Sequence, residues 1–487
     1  MGIDKTKIIK DTLFTSAVSV IARALAVPKS IVVGLVLLPT DFGLYNSIFL
    51  WFSYLNILSA FNNGLFAAAS RESAHHFGQK GEMATGIEVQ NKAISFGSLI
   101  PLGILALYLI YSFQKETPFL VTSYILVGVI FLLTHINSCY ERFNSARNLF
   151  IGIAKANLIK SVLGSVLVIF TIYYLNIYAL FLCPIIGLTV CLIYYMSKMP
   201  LKFCFNLNSA GMGKLMYSGL FFGASVIMWD LYFVIDRTFI KLFLNNSIMG
   251  LYSFSLMSVM MVQSFLASFQ GIFVATLNKS SDMTDKDAIN KVLHYNLYLL
   301  YFVFLMVVII QFFYYVIVEY FIVNYRASGQ IFIILSVMIY FYAMFVMPSA
   351  VMASKLMRKE GYVAFVVLLG IVSGVIFNSL FVYLGWKGEG IALGTVLSQA
   401  IISGVIMLVI LRSAHRFDFR YLAKIIILSL LIVAYSSLFY YMVAAKYPIG
   451  IITIYSIMTV GAMLVFSQFY FTPKPFQLML EVYRNRF

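Results

Sequence analysis

Long runs of apolar residues, separated by short polar connections, dominate the pattern along the chain. Each run has roughly 20 residues or more, the length that an α-helix needs to cross the hydrocarbon core of a bilayer. The runs fall at about 12–37, 43–70, 93–113, 118–137, 150–173, 177–197, 215–241, 249–276, 294–321, 328–352, 363–385, 389–411, 422–443 and 449–471. No alternation of apolar and polar positions bounded by turns recurs, which excludes a β-barrel. The pattern predicts an all-α membrane protein with fourteen transmembrane helices.

The composition supports this prediction. The chain has 487 residues, of which 62% are hydrophobic and only 11% are charged, whereas a soluble domain carries about 25% charged residues. The connections between the runs are too short to form a soluble catalytic domain. We therefore expect a polytopic membrane protein.

The distribution of basic residues predicts the orientation in the membrane. Most of the 34 Lys and Arg residues fall in segments on the same side as the N-terminus. These residues include Lys5, Lys7, Lys10, Arg142, Arg147, Lys355, Arg358, Lys359, Arg412 and Arg416. The opposite connections contain Lys115, Arg326, Lys387 and Lys446. The positive-inside rule therefore places both termini in the cytoplasm. This bias and attraction to anionic membrane lipids account for the net charge of +16, and we expect no nucleic-acid partner.

The sequence resembles itself when it is shifted by 207 residues. The tripeptide Gly-Leu-Tyr at 43–45 returns at 250–252, and Gly64, Phe66 and Ala68 align with Gly271, Phe273 and Ala275. Chance identity among apolar residues is the alternative explanation. The repeat predicts two pseudo-symmetric six-helix lobes around a central cavity, followed by two helices. The predicted domains are an N-lobe at 1–205, a C-lobe at 206–412, and helices 13 and 14 with a cytoplasmic tail at 413–487. Transporters with parallel repeats bind substrate between the halves.

Charged residues interrupt two of the predicted spans. Arg23 and Lys29 flank Pro28 in the first span, and Asp230, Asp236 and Arg237 lie in the seventh. The 207-residue shift aligns Arg23 with Asp230 and Lys29 with Asp236. A charge at the middle of a bilayer costs about 2.5–3.5 kcal/mol on insertion scales, so such residues normally face a wet cavity or pair with one another.

Three structural explanations compete with a functional role for these charges, one of which is that Lys29 caps backbone carbonyls that the bend at Pro28 frees. Arg23 and Asp230 could form an ion pair, and Arg237 and Lys241 lie late enough in their span to reach the interface with extended side chains. Burial raises the pKa of a carboxyl group and a neighbouring Arg lowers it, so the sequence leaves the state of Asp230 and Asp236 open. They are candidates for a coupling-ion site or for ion-pair partners.

Sequence signatures of catalysis are missing. The chain contains no nucleophile elbow, phosphate-binding loop, dinucleotide-binding turn or cluster of metal ligands, and its four cysteines lack metal or redox spacing. We therefore expect no catalytic residue, no metal and no cofactor, and a protein that is not an enzyme.

Three stretches together resemble a known family. They are "LLPTDFGLYNSIF" (37–49), "IDRTFIKLFLNNSIMGLYSFSLMSV" (235–259) and "FNSLFVYLGWKGEGIALGTVLSQ" (377–399). In this order, and with this length and helix count, they resemble the polysaccharide (O-antigen type) flippases of the multidrug/oligosaccharidyl-lipid/polysaccharide exporter superfamily.

The resemblance implies a substrate, a mechanism and a location. Members of this family move undecaprenyl-pyrophosphate-linked oligosaccharide, such as the repeat unit of O-antigen in lipopolysaccharide biosynthesis, between leaflets of the bacterial inner membrane. A polysaccharide polymerase and a chain-length regulator are the implied protein partners. Arginine can bind a pyrophosphate with two charge-assisted hydrogen bonds, so Arg23, Lys29 and Arg237 are the candidate substrate-binding residues. Basic residues that relatives carry in helices 2 and 8 are missing here until the cytoplasmic ends of these spans.

Two other functions remain open at this point. An ion-coupled multidrug exporter of the same superfamily would use acidic residues for cationic substrates, and Asp230 and Asp236 agree with that function. A membrane-embedded polysaccharide polymerase or acyltransferase would need a large outer loop or a cluster of His, Asp and Arg, and neither is present.

Overall fold

The structure is a computed structural model that describes most of the chain. The described residues are 14–15, 18, 21–22, 24–78, 83–114, 117–201, 211–279, 285–352, 360–413 and 419–470. Among these residues the secondary structure is helical, with no strand. The chain divides into two compact units, Met1–Gly250 and Leu251–Phe487.

The first unit consists of helices joined by short connections. They are α1 (Ala26–Val36), α2 (Pro39–Leu58), α3 (Ala60–Gly78), α4 (Met83–Phe113), α5 (Pro118–Ala146), α6 (Phe150–Leu175), α7 (Ile177–Lys198) and α8 (Met212–Phe243). Helix α9 (Asn246–Lys279) begins at the end of this unit.

The second unit continues the same architecture. Its helices are α10 (Asp285–Val316), α11 (Ser328–Met352), α12 (Glu360–Tyr383), α13 (Gly388–Ser413), α14 (Phe419–Ala444) and α15 (Ile449–Tyr470). A π-helical turn (Ile317–Phe321) and a 3₁₀ turn (Val323–Tyr325) link α10 to α11. At the surface of this link, the Arg326 side chain donates hydrogen bonds to the Glu319 carbonyl and contacts the Glu319 carboxylate at 3.2 Å.

The helices have the lengths and composition of membrane spans. Within the described residues, eleven helices are long and apolar enough to cross a bilayer. This confirms the predicted all-α, multi-pass membrane protein. The total of fourteen spans remains a prediction. Helix α1 as described has only 11 residues, and α8 carries Asp230, Asp236 and Arg237, which lower its hydropathy.

The predicted second span, 43–70, differs from the structure in one respect. It is two helices, because Ser59 leaves the helical conformation (φ −93°, ψ 1°) between α2 and α3. The Ser59 N–H donates to the carbonyl oxygens of Leu55 and Ile57, and its hydroxyl donates to that of Asn56. A side-chain bond such as that of the Ser59 hydroxyl competes with the hydrogen bonds of a continuous helix.

Each unit has its own packed interior. In the first unit, a cluster that includes Phe131 and Phe181 packs α2, α4, α5 and α7 together. In the second unit, the buried amide of Gln311 on α10 donates hydrogen bonds to the Ser336 hydroxyl on α11 (2.6 Å) and the Ser436 hydroxyl on α14 (2.9 Å). Interhelical hydrogen bonds of this kind fix neighbouring helices in membrane proteins. The predicted lobe boundaries at 205/206 and 412/413 remain predictions.

Candidate functional site

The cations predicted in the first span differ in how the structure describes them. Arg23 lies outside the described residues. Lys29 lies on α1, where its side chain is half-buried and lies within electrostatic range of the Cys183 thiol on α7. Lys29 therefore lies against the interior of the first unit.

The charges predicted in the seventh span all lie on α8. Asp236 is buried, with 5% of its surface exposed, whereas Asp230 and Arg237 are half-buried. A charge that leaves water for a helix bundle needs compensating polar groups. The surroundings of Arg237 supply such groups.

One carbonyl oxygen and two tyrosine hydroxyls lie near the Arg237 guanidinium. Its Nη2 donates a 3.3 Å hydrogen bond to the Phe233 carbonyl, one turn back on α8. The hydroxyls of Tyr45 and Tyr54 on α2 lie within electrostatic range of the guanidinium. The Tyr54 hydroxyl is held by a 2.8 Å hydrogen bond with Thr238. Arg237 therefore lies near polar groups of both α2 and α8.

Lys241, one turn beyond Arg237, also contacts α2. Its ammonium group donates a 3.1 Å hydrogen bond to the Ser47 carbonyl and lies 5.5 Å from the centroid of the Trp51 ring, which is a cation–π distance. The Ser47 hydroxyl in turn donates a 3.1 Å hydrogen bond to the Asn246 side chain. Lys241 therefore contacts α2, whereas the alternative explanation expects its side chain only to extend to the membrane interface.

The first turns of α2 and α9 approach each other at glycine. A Cβ atom at Gly43 would overlap the Asn246 carbonyl oxygen, and a Cβ atom at Gly250 would overlap the Pro39 carbonyl oxygen. Pro39 and Asn246, like Gly43 and Gly250, are 207 residues apart, so the two contacts are related by the offset of the sequence repeat. Small residues permit such close backbone approach in membrane proteins. We call this contact the α2–α9 crossing.

A second close approach lies between α3 and α8, which form the most extensive helix contact among the described residues. A Cβ atom at Gly64 would overlap the Gly219 carbonyl oxygen and lie 2.5 Å from the Gly223 nitrogen. We call this contact the α3–α8 crossing. Sequence reasoning missed its role, although the Gly-x-x-x-Gly spacing at 219–223 is a known signal for helix packing in membranes.

The arrangement provides binding groups. Arg237 and Lys241 are two cations on one face of α8, as their spacing predicts, and the tyrosine and serine hydroxyls of α2 lie beside them. Such groups suit an anion with several oxygen atoms. Within the described residues, no three His, Cys, Asp or Glu side chains lie close enough together to hold a metal ion.

Solved structures show which fold the chain resembles. The lipid II flippase MurJ in an inward closed conformation is 14% identical, with a TM-score of 0.69 over 94% of this chain and 99% of that chain. An outward-facing multidrug resistance transporter of the MATE family is 15% identical, with a TM-score of 0.59 over 83% of this chain and 96% of that chain. A transporter of the MOP superfamily from Pyrococcus furiosus is 13% identical, with a TM-score of 0.55 over 84% and 96% of the two chains. The chain therefore has the MurJ/MATE-like fold.

Sequence comparison assigns the family. A search of curated proteins finds no match to this chain. The family model described as "Polysaccharide biosynthesis protein" matches residues 8–274, which is more than half of the chain and includes α1 to α8 and every predicted site residue. The protein belongs to the polysaccharide biosynthesis protein family.

Proposed function

We propose that this protein is a flippase for undecaprenyl-pyrophosphate-linked oligosaccharide, the repeat unit of O-antigen or another surface polysaccharide. It moves this lipid from the cytoplasmic to the periplasmic leaflet of a bacterial inner membrane by alternating access, and both of its termini are cytoplasmic. A polysaccharide polymerase and a chain-length regulator act on the translocated product. The observation that carries this proposal is the half-buried Arg237 guanidinium, set among hydroxyl groups inside a membrane helix of a protein of this family.

The chemistry of the substrate explains why cations lie in the membrane region. A pyrophosphate and a hydroxylated sugar are both costly to move through hydrocarbon. Guanidinium and ammonium groups compensate the negative charge, and hydroxyls such as those of Tyr45 and Tyr54 replace water around the phosphate oxygens. Arg23, Lys29 and Arg237 are the proposed substrate-binding residues, and the lipid tail stays in the bilayer throughout.

The acidic residues of α8 are proposed to couple transport to an ion gradient. Asp236 is buried and Asp230 is half-buried, so each carboxylate is a candidate for binding a proton or a sodium ion. If this role is right, Asp230→Asn or Asp236→Asn abolishes the dependence of flipping on the gradient while the protein remains in the membrane. Dependence equal to wild type in both variants would instead make them structural ion-pair partners.

A flipping assay with the purified protein tests the substrate. The protein is reconstituted in liposomes with a fluorescent undecaprenyl-pyrophosphate oligosaccharide, and reagent-accessible label is measured in each leaflet. We expect Arg237→Ala to lower the flipping rate at least tenfold and Arg237→Lys to recover part of it, because Lys keeps the charge but loses the planar fork. Arg326→Ala is the matched control, since Arg326 is exposed and pairs with Glu319 in the α10–α11 link.

The Arg23 variants separate substrate binding from an ion pair. If Arg23 binds substrate, Arg23→Ala and Arg23→Glu abolish polysaccharide export at near-normal protein levels, and Arg23→Lys rescues it in part. If Arg23 pairs with Asp230, Arg23→Ala lowers abundance, and adding Asp230→Asn restores both abundance and export. Full recovery in the double variant would refute the substrate-binding role.

The buried carboxylates favour one second candidate, an ion-coupled multidrug exporter. It predicts efflux of cationic dyes that Asp236→Asn abolishes and Arg237→Ala leaves unchanged. Dye efflux without flipping of the lipid-linked oligosaccharide would replace the proposed function with this one.

A further inference from the structure

A partly open cavity lies within the second unit. Helices α11, α13 and α14 surround a volume of about 580 Å³, which is within the range of small-molecule sites. Its wall is mostly apolar, with Val337, Phe341, Leu393 and Val396 among the lining residues, and Ser436 and Ser437 on α14 add two hydroxyls. The lining on α11 runs from Ile333 to Phe341, which corresponds to about 12 Å along the helix axis.

Polar and aromatic residues form one end of the cavity. Trp386, Lys387 and Glu389 lie at the α12–α13 connection, and Tyr440 lies opposite on α14. The Trp386 ring is fixed by stacking on Phe381, with 5.2 Å between the ring centroids. Trp and Tyr are typical of the headgroup level of a bilayer. The cavity therefore extends from the membrane interface into the hydrocarbon layer.

Two opposite charges stand at this end. Lys387 is exposed and Glu389 is half-buried, and Glu389 lies within electrostatic range of the Tyr440 hydroxyl. Among the described residues, neither side chain forms an ion pair or a hydrogen bond. A cation and an anion two residues apart at an interface match a ligand that carries both a negative and a positive group.

We infer that this cavity binds a zwitterionic phospholipid, with one acyl chain between α11, α13 and α14. The phosphodiester of the lipid binds the Lys387 ammonium, and the amine of its headgroup binds the Glu389 carboxylate. The acyl chain lies along the apolar residues of the wall, and the Ser436 hydroxyl in the wall already accepts a hydrogen bond from the Gln311 amide. This site is independent of the proposed transport substrate.

Charge complementarity favours this ligand over another lipid. A polyprenyl pyrophosphate carries negative charge only, so its headgroup would be repelled by Glu389, and an anionic phospholipid without an amine would face the same repulsion. Only a headgroup with an ammonium group satisfies both charged residues.

The test measures which lipid stays bound to the protein. The full chain is reconstituted in nanodiscs of phosphatidylethanolamine and phosphatidylglycerol, released into mild detergent, and analysed by native mass spectrometry. We expect phosphatidylethanolamine to be retained about tenfold over phosphatidylglycerol, and Lys387→Gln or Glu389→Gln to lower its retention about fivefold, as charge-assisted hydrogen bonds of this kind predict.

Matched variants separate the cavity from general lipid binding. Ala400 lines the cavity, so Ala400→Trp should fill it and abolish selective retention, whereas Ile401→Trp, at an exposed neighbouring position, should not. Lys446→Gln is the control for loss of a cation at another exposed position. Size-exclusion profiles report whether each variant is folded.

Three results would overturn the inference. They are equal retention of the two lipids by wild type, unchanged retention in a folded Ala400→Trp variant, and displacement of phosphatidylethanolamine from wild type by undecaprenyl phosphate added to the nanodiscs. The last result would identify a polyprenyl site. Because these experiments measure binding, they are independent of the flipping assay.

Discussion

The α2–α9 crossing and the α3–α8 crossing both bring helix backbones together at glycine, but their surroundings differ. Beside the α2–α9 crossing, the Ser47 hydroxyl bonds to Asn246 and the Ser47 carbonyl accepts a hydrogen bond from Lys241. Beside the α3–α8 crossing lie apolar side chains, including Leu65, Phe66 and Leu215, all of them buried in one cluster.

This difference indicates different energetics. Polar groups at the α2–α9 crossing can exchange their partners for water at small cost, because a hydrogen bond contributes only about 0.5–1.5 kcal/mol net. Separating the helices at the α3–α8 crossing would expose apolar surface to water, which costs about 25 cal/mol of free energy for each Å² exposed. We therefore expect the α2–α9 crossing to open and close during transport, and the α3–α8 crossing to determine stability.

The largest effect is expected at Gly64. Gly64→Ala forces α3 and α8 apart, because the new methyl group meets backbone atoms of Gly219 and Gly223, which cannot rotate away. Overpacking a core costs about 1–3 kcal/mol even where side chains can adjust. The folded fraction after detergent extraction, measured by fluorescence-detected size exclusion on heating, should fall several-fold relative to Gly213→Ala, where a methyl group meets nothing within 4 Å. Equal thermal midpoints for the two variants would contradict the role in stability.

The second largest effect, on export, is expected at Gly43. Gly43→Ala should lower export about tenfold at near-normal abundance, because a cost of about 1.4 kcal/mol on one transport state changes its population tenfold. Gly250→Ala should have the same effect, since the two contacts are reciprocal. Surface polysaccharide and labelling of a cysteine introduced at Ser47 are the measurements, with Gly103→Ala on α4 as control. A loss of abundance as large as that of Gly64→Ala would remove the distinction between the crossings.

A smaller effect is expected at Lys241. Lys241→Met removes the hydrogen bond to Ser47 and the cation–π contact with Trp51, so the α2–α9 crossing should open more readily and export should fall about fivefold, consistent with a loss near 1 kcal/mol. Lys446→Met serves as the control. The alternative is that Lys241 contributes only a positive charge at the membrane interface. In that case Lys241→Arg and Lys241→Met would differ in membrane insertion, and the labelling of Ser47→Cys would be the same in both variants.

The smallest effect is expected at Asn62, and it has the opposite sign. Asn62 is buried on α3, two residues from Gly64, and neither polar atom of its side chain has a hydrogen-bond partner among the described residues. Replacing such a group with an apolar one of similar shape is neutral or stabilising. Asn62→Leu should raise the thermal midpoint slightly, whereas Asn63→Leu, at a half-exposed position, should leave it unchanged. A lower thermal midpoint for Asn62→Leu than for the wild type would indicate that the Asn62 side chain has a polar partner.

The membrane spans could largely be predicted from the sequence, because a helix in lipid must satisfy its backbone internally and therefore follows the apolar runs. The charges of α8 were also visible, since a charge in such a run is conspicuous. The break at Ser59 was not predicted, because a serine within an apolar run is compatible with a continuous membrane helix. Helix propensity does not decide such a position.

The other features that could not be predicted from the sequence are contacts between residues that are distant in the chain. Lys241 binds Ser47, 194 residues earlier in the chain, and no local pattern indicates this pairing. Gly43 and Gly250 were recognised as repeat positions, but their mutual contact depends on which helix faces meet. The Gly219-x-x-x-Gly223 spacing was readable and indicates a packing face, yet it does not name the partner helix.

The break at Ser59 separates the two crossings within one predicted span. Gly43 lies on α2 and Gly64 lies on α3, and the two helices meet at a single non-helical residue. Hydrogen bonds from the Ser59 N–H to the Leu55 carbonyl and from the Asn63 N–H to the Ser59 carbonyl keep the two helices connected. We expect Ser59 to be the hinge of this span, because it has already left the helical conformation, so that the contact with α9 can change while α3 stays packed on α8.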